Sequence, residues 1–94
     1  MKVNLDELPV QHLPEQGRFE IRVNGHIAEL TYTLHKETIL FTHTGVPPEL
    51  EGQGVGSKLV KAGLEYARGN GLRIKSLCWF VTRYLQRHPE YQRP

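Results

Sequence analysis

The sequence is short of three things that would assign it to a structural class at once: cysteines, long apolar runs and a large net charge. Among 94 residues Cys78 is the single cysteine, which excludes an internal disulfide framework and suits a reducing compartment. No apolar run approaches the roughly 20 residues of a membrane-spanning helix, and MKVNLDELPV lacks the apolar segment of a secretory signal. We therefore expect a soluble, cytoplasmic protein with no membrane partner.

The net charge of +2 is small, but the charge is unevenly distributed along the chain. Residues 1–51 contain four Lys or Arg and eight Asp or Glu, a net of −4, whereas residues 52–94 contain eight and two, a net of +6. The asymmetry indicates either an anionic ligand on the basic half or the ordinary charge variation of a small domain. A nucleic-acid partner is disfavoured, because no series of stacking aromatic residues accompanies the basic ones.

The length suits one small domain, and we interpret residues 1–94 as that domain. Residues 1–16 carry Pro9 and Pro14 among polar residues and show no sustained hydrophobic period. They are interpreted as a partly extended lead-in segment.

Two strands joined by a hairpin are predicted next. Apolar and polar side chains alternate along residues 18–23, which predicts a half-buried strand. Asn24-Gly25 then supplies the two positive-φ positions of a tight turn. The second strand continues to Leu34, with a possible slip in its alternation at Ala28.

A third strand is predicted over residues 38–46, ended by Pro47-Pro48 because proline cannot donate to a ladder. Its alternation places Ile39, Phe41 and His43 on one face and Leu40, Thr42 and Thr44 on the other.

The hydrophobic period lengthens to three or four residues after Val55, which predicts an amphipathic helix ended by Gly69-Asn70-Gly71. A short strand over residues 72–77 and a second helix ended by Pro89 follow. The order is a three-stranded antiparallel meander, then helix, strand and helix, an α+β (α/β) fold class. A right-handed crossover would make the last strand parallel to the third.

The stretch 49-ELEGQGVGSKLVKAG-63 places three glycines on alternate positions at the start of the first helix. Glycines there let a bulky anion reach the unpaired N–H groups of the first helical turn. The ATP-type loop is not matched, because Ser57 separates Gly56 from Lys58, and the dinucleotide pattern lacks its last glycine. A glycine-rich connection without a ligand stays open as the alternative.

The segment Glu51-Gly52-Gln53-Gly54-Val55-Gly56 resembles the [RQ]-x-x-G-x-[GA] pyrophosphate loop of the GNAT superfamily of acyl-CoA-dependent N-acyltransferases. Glu51 stands where that pattern has Arg or Gln. The stretches 43-HTGVPPELEGQGVGSKLV-60 and 78-CWFVTRYLQRHPEY-91 are similar to a subfamily of miniature GNAT-like proteins. The resemblance covers roughly residues 17–91.

The resemblance implies acetyl-CoA as the acyl donor, held between the third and last strands. It implies backbone contacts to the pantetheine arm from Thr44, Gly45 and Val46. It implies a pyrophosphate site formed by Gln53, Gly54, Val55, Gly56, Ser57 and Lys58. The candidates for the 3′-phosphate are Lys58, Lys61, Arg83 and Arg87, unranked.

Three residues are candidates for chemistry. Cys78 would act as an acid or as a nucleophile towards the thioester, against the alternative of a small buried hydrophobe. The resemblance places Tyr84 at the position of the acid, with packing as its alternative. His43 would serve as a base or form a hydrogen bond across the sheet. No metal site is expected, because one cysteine and scattered histidines do not form one.

The leading hypothesis is an N-acetyltransferase acting on an unidentified amine. The alternative is a non-catalytic acyl-CoA-binding or protein-interaction module with the same fold. The helices that follow the first strand in ordinary GNAT enzymes have no counterpart here, which leaves the acceptor site open or completed by a partner. A monomer or weak dimer is expected.

Overall fold

The computed structural model describes residues 1–92, and within them the chain forms a five-stranded sheet and two α-helices. The elements are β1 (Gln11–Leu13), β2 (Arg18–Val23), β3 (His26–His35), β4 (Thr38–Gly45), α1 (Val55–Gly69), β5 (Arg73–Ser76) and α2 (Trp79–Arg87). Short 3₁₀ turns occupy Leu5–Glu7, Pro14–Gln16, Pro48–Leu50 and Pro89–Gln92. No helix in this part of the chain is both long and apolar enough to cross a bilayer.

The strands lie in the order in which they occur along the chain. The first four pair antiparallel, and β5 pairs parallel to β4 from Thr38 opposite Arg73 to Phe41 opposite Ser76. This confirms the predicted meander and the parallel last strand. The crossover between the two parallel strands passes through α1.

The lead-in segment contains a strand that the sequence did not predict. β1 pairs with β2 and makes a fourth antiparallel strand, so the expected three-stranded meander was one strand short. Its three residues are too few for an alternating pattern to show, and they are held by tertiary contacts instead. The His12 ring stacks on Phe19 with centroids 4.1 Å apart, and its Nε2 lies 2.6 Å from the Tyr32 hydroxyl.

The core lies between the sheet and the two helices. α1 buries its apolar side against the sheet, and α2 adds Val81 and Leu85 to the same cluster. Gly63 lets α1 lie close to the sheet, because a Cβ there would lie 2.8 Å from Leu30 Cδ2 and 2.9 Å from Phe41 Cε1. The largest fully buried side chains are Phe41, Ile21, Leu30, Ile39, Leu50, Leu59, Leu64, Val55, Val60 and Val81.

The alternation of β3 is regular through Ala28, so the slip expected there is wrong. Ala28, Leu30 and Tyr32 are all buried on the helix-covered face. The apparent slip comes from Ile27, which is out of phase with Leu30 and Tyr32 and is 39% exposed, whereas Ala28 is in phase with them. The irregularity lies in the partner strand.

A β-bulge in β4 changes which face its last residues present. Tyr32 pairs with Phe41 and Thr31 pairs with His43, so Thr42 is an extra residue between them. Directly paired residues share a face, which puts His43 with Thr31 on the face away from the helices. The prediction that His43 lies on the same face as Ile39 and Phe41 is therefore wrong, because strict alternation does not allow for the inserted residue.

The face of the sheet away from the helices is polar where strands β2 and β3 meet. Glu20 is only 3% exposed and forms ion pairs with Arg18 at 2.9 Å and Arg22 at 3.0 Å. Arg18 also pairs with Glu29 on β3. The buried carboxylate is thus neutralised by two cations, as burial of a charge requires.

Candidate active site

A cleft opens where β4 and β5 diverge. Their last sheet bond runs from the Leu77 N–H to the Phe41 carbonyl at 2.9 Å, after which β4 continues beside β3 while the chain turns into α2. The cleft has a volume of about 650 Å³, within the range of small-molecule sites. Predicted site residues that line it are His43, Thr44, Val46, Gly54, Val55, Gly56, Ser57 and Cys78.

Cys78 lies at the junction of β5 and α2, with its thiol facing β4. Its Sγ is 3.5 Å from the Thr44 hydroxyl, a contact that exists because the bulge turns Thr44 towards the cleft. Burial raises the pKa of Cys78, but the Thr44 hydroxyl and the nearby N–H groups of Val81, Phe80 and Thr44 outweigh it, so the pKa lies below its ordinary value. Cys78 is the N-cap residue of α2, and its side chain forms no capping hydrogen bond of normal geometry.

His43 reaches the cleft from the other face of the sheet. The residue is exposed, and its Nε2 lies 3.1 Å from the place where a Cβ on Gly45 would stand. Glu29 borders the same place, with its Cγ at 3.6 Å. Gly45 therefore gives room to the His43 ring and does not itself line the cleft.

The glycine loop leads into α1 with its N-terminal N–H groups uncapped. Gly52 and Gly54 have φ values of 76° and 86°, which glycine adopts without strain, and no side chain caps the helix. The first turn of α1 carries no acidic residue that would repel an anion. At Gly56 glycine is required by packing and not by its φ angle, because a Cβ there would lie 3.0 Å from Phe80 Cζ.

The side chains of Gln53 and Lys58 are bound to the N-terminal residues. The Gln53 amide accepts from the Val3 N–H at 2.9 Å and donates to the Met1 carbonyl at 2.5 Å. Lys58 donates to the Leu5 carbonyl at 2.5 Å. In this arrangement both side chains fix the loop from outside the cleft.

A second groove of about 220 Å³ adjoins the cleft and shares Ser57, Trp79 and Phe80 with it. Its remaining lining is Arg83, Tyr84 and Arg87, all on α2. Tyr84 therefore stands apart from the lining of the Cys78 cleft, and its ring stacks on His88 at 4.1 Å. Burial, with the carboxylates of Glu90 and Glu65, raises the pKa of Tyr84 and keeps its hydroxyl protonated. Lys61, also suggested for the 3′-phosphate, lines neither cavity.

Sequence reasoning missed two exposed apolar residues that flank Cys78. Leu77 is 75% exposed and Trp79 is 69% exposed, and both line the cleft. Arg83 lies over the Trp79 ring, with its guanidinium carbon 5.9 Å from the ring centroid. Within residues 1–92 no three His, Cys, Asp or Glu side chains come together in a metal-binding group.

The chain is similar to a known protein family and to individual known proteins. The family model described as GCN5-related N-acetyl-transferase matches residues 18–93. Protein NATD1 of Gallus gallus is 29% identical over 85 residues, covering 87% of this chain and 77% of its own length. A GCN5-like protein of Staphylococcus aureus, solved by NMR in solution, has 40% identity and a TM-score of 0.71, covering 90% of this chain and 84% of its own. The chain belongs to the GCN5-related N-acetyltransferase family.

Proposed function

We propose that this domain binds acetyl-CoA in the cleft and transfers the acetyl group to an amine. The observation that carries the proposal is that one continuous cleft joins the uncapped start of α1 to the Cys78 thiol. A cavity lined both by unpaired N–H groups at a helix start and by a thiol suits a long donor that carries a pyrophosphate and a thioester.

The donor would be held mainly by backbone groups. The pyrophosphate would meet the N–H groups of Gly54, Val55, Gly56 and Ser57 at the start of α1. Beyond Phe41 the outer edge of β4 has no β5 partner in the described chain, so Thr44 and Val46, which both line the cleft, can offer backbone groups to the pantetheine arm. Gln53 and Lys58 would support this site by fixing the loop to the N-terminal residues.

The adenosine end of the donor would lie in the second groove. Arg83 and Arg87 are the cations there, and they suit the 3′-phosphate. Trp79, at the border of cleft and groove, presents an exposed ring on which a base can stack. Tyr84 lines the same groove, so we assign it to this end of the donor rather than to the leaving thiolate.

The reaction would centre on Cys78. As a nucleophile, its thiolate attacks the thioester carbonyl, forms an acyl–Sγ bond and breaks the bond to the CoA sulfur, which leaves and takes up a proton. The amine then attacks the acyl group and restores the thiol. As an acid, the neutral thiol gives its proton to the departing CoA sulfur after direct attack by the amine. A lowered thiol pKa serves either role.

His43 would prepare the acceptor. It is exposed on the open face of the sheet while lining the cleft, so an amine arriving from that face meets it before reaching Cys78. A neutral imidazole there can accept a proton from the incoming ammonium group.

Calorimetric titration with acetyl-CoA tests the proposal, with ATP and NAD as controls for general nucleotide binding. We expect micromolar affinity for acetyl-CoA alone, and weaker binding of dephospho-CoA, which lacks the 3′-phosphate. An acceptor screen with wild type and Cys78→Ala follows, with mass spectrometry for an acetyl adduct on Cys78. Absence of acetyl-CoA binding would overturn the proposal, whereas binding without transfer to any amine would favour a non-catalytic acyl-CoA-binding module.

A further inference from the structure

The hydroxyl of Ser76, the last residue of β5, uses all of its hydrogen-bonding capacity around the backbone of Cys78. It accepts from the Cys78 N–H at 3.1 Å and donates to the Cys78 carbonyl at 2.8 Å. It also accepts from the Thr82 hydroxyl at 3.0 Å. One donor and two acceptor sites are what a serine hydroxyl offers, so the group is fully satisfied.

These bonds span the point where the chain changes from strand to helix. The Leu77 N–H makes the last bond of the sheet, and the Thr82 N–H donates to the Cys78 carbonyl at 2.9 Å in the first turn of α2. Cys78 lies between these two fixed points, with extended φ and ψ of −100° and 123°. Ser76 holds both peptide groups of Cys78 from one side.

Packing contributes to this turn through Cys78, whose side chain is 8% exposed and belongs to the core, but the residues on either side of it face solvent. Leu77 and Trp79 are mostly exposed. The direction of the thiol, 3.5 Å from the Thr44 hydroxyl, therefore depends on the hydrogen bonds that fix the Cys78 backbone as well as on the burial of its side chain.

We propose that Ser76 is a positioning residue whose hydroxyl, supported by Thr82, fixes the Cys78 backbone so that the thiol faces Thr44 and the cleft. The importance of this position for acetyl transfer rests on the proposed function. The position itself does not, and it can be measured without donor or acceptor.

The test is the pH dependence of Cys78 alkylation by iodoacetamide, which reports on one site because the chain has a single cysteine. In wild type we expect the midpoint of the rate profile below that of a free thiol. Ser76→Ala frees the turn, moves the thiol away from Thr44 and shifts the midpoint upwards, and the rate near pH 7 falls roughly three- to tenfold. Ser76→Thr keeps the hydroxyl and restores the wild-type midpoint.

Two further variants distinguish the positioning role of Ser76 from a general loss of stability. Thr82→Val keeps Ser76 and removes one of its bonds, so a smaller shift in the same direction is expected. Asn70→Ala removes a side-chain bond to the Tyr66 carbonyl at the far end of α1, and its midpoint should equal that of wild type. An unchanged midpoint in both Ser76→Ala and Thr82→Val would overturn the proposal. If acetyl-CoA does not bind wild type, the proposed function fails while the alkylation result still decides the role of Ser76.

Discussion

Lys58 on the first turn of α1 donates a hydrogen bond to the carbonyl of Leu5, 53 residues earlier in the chain. Gln53 binds Met1 and Val3 in the same region, and Leu5 Cδ2 lies 3.1 Å from where a Cβ on Gly54 would stand. The N-terminal residues therefore form an outer wall of the glycine loop.

Lys58→Met keeps the aliphatic part of the side chain and removes this hydrogen bond. We expect the N-terminal residues to loosen, because their apolar side chains are only partly buried and hydrogen bonds to Gln53 and Lys58 help to tie them to the loop. Amide hydrogen exchange should become faster at Val3 and Leu8, with global stability lower by about 1 kcal/mol or less. Unchanged exchange at both amides would contradict this account, and Lys61→Met, on the exposed side of α1, is the control.

Gly52→Asp tests the phosphate end of the proposed site. A side chain at Gly52 meets no atom within 4 Å, so the change adds a negative charge beside the loop without a clash. Repulsion of the pyrophosphate should weaken acetyl-CoA binding about tenfold, which calorimetry measures directly.

Gly71→Asp is the matched control for that experiment. Gly71 also has positive φ and open space around it, but it follows the other end of α1. The two variants should lose similar stability from backbone strain, whereas only Gly52→Asp should lose affinity. Equal affinities in the two variants would show that the loop does not hold the pyrophosphate.

Gly63→Ala tests the contact between α1 and the sheet. The added methyl group would press on Leu30 and Phe41, which are both fully buried and have little room to move. Overpacking of this kind costs roughly 1–3 kcal/mol, despite the better helix propensity of alanine. Urea denaturation should show this loss, while Gly69→Ala, which meets nothing within 4 Å, should be neutral or more stable by about 0.5 kcal/mol. Equal stabilities of the two variants would refute the close approach at Gly63.

Tyr91 links the C-terminal 3₁₀ turn to α1 through a hydrogen bond from its hydroxyl to the Glu65 carboxylate. Burial and the bond to Glu65 raise the pKa of Tyr91 to about 12. Because the folded-state pKa lies above the ordinary value of 10.0, this stabilisation is complete below about pH 10 and is lost as the pH rises towards 12.

Tyr91→Phe should therefore be less stable than wild type by about 1 kcal/mol at neutral pH. The difference between the two proteins should shrink as the pH rises above about 10. Urea denaturation between about pH 7 and pH 11 measures both effects. A difference that grows with pH would mean that the sign of the coupling is wrong.

The parts of the fold that sequence predicted depend on local patterns. The alternation of β2, the Asn24-Gly25 turn and the start of α1 at Val55 all follow from residues within a few positions of one another. The position of α2 follows similarly from the helical spacing of its apolar residues, and its end follows from Pro89.

The parts that sequence did not predict depend on partners distant in the chain. β1 is held in place because the His12 ring stacks on Phe19 and contacts the Tyr32 hydroxyl. A pattern within three residues cannot predict such contacts. The bulge at Thr42 is a property of the pairing between β3 and β4. The sequence predicted that Thr44 and Cys78 belong to one site, but their contact could not be predicted because it depends on the bulge. The hydrogen bonds of Ser76 could not be predicted either, because they depend on the turn between β5 and α2.

The bulge at Thr42 also sets the register in which the end of β4 pairs with β3. If β4 paired without the bulge, so that Thr42 itself stood opposite Thr31, the side chains after it would exchange faces: the imidazole would turn towards the helices, and the hydroxyl beside the thiol would turn away from them. No substitution of a single side chain could repair that exchange. Deletion of Thr42 would instead leave a regular ladder in which His43 and Thr44 keep their partners and faces, so the arrangement of the cleft depends on where the pairing shifts and not on the length of the strand.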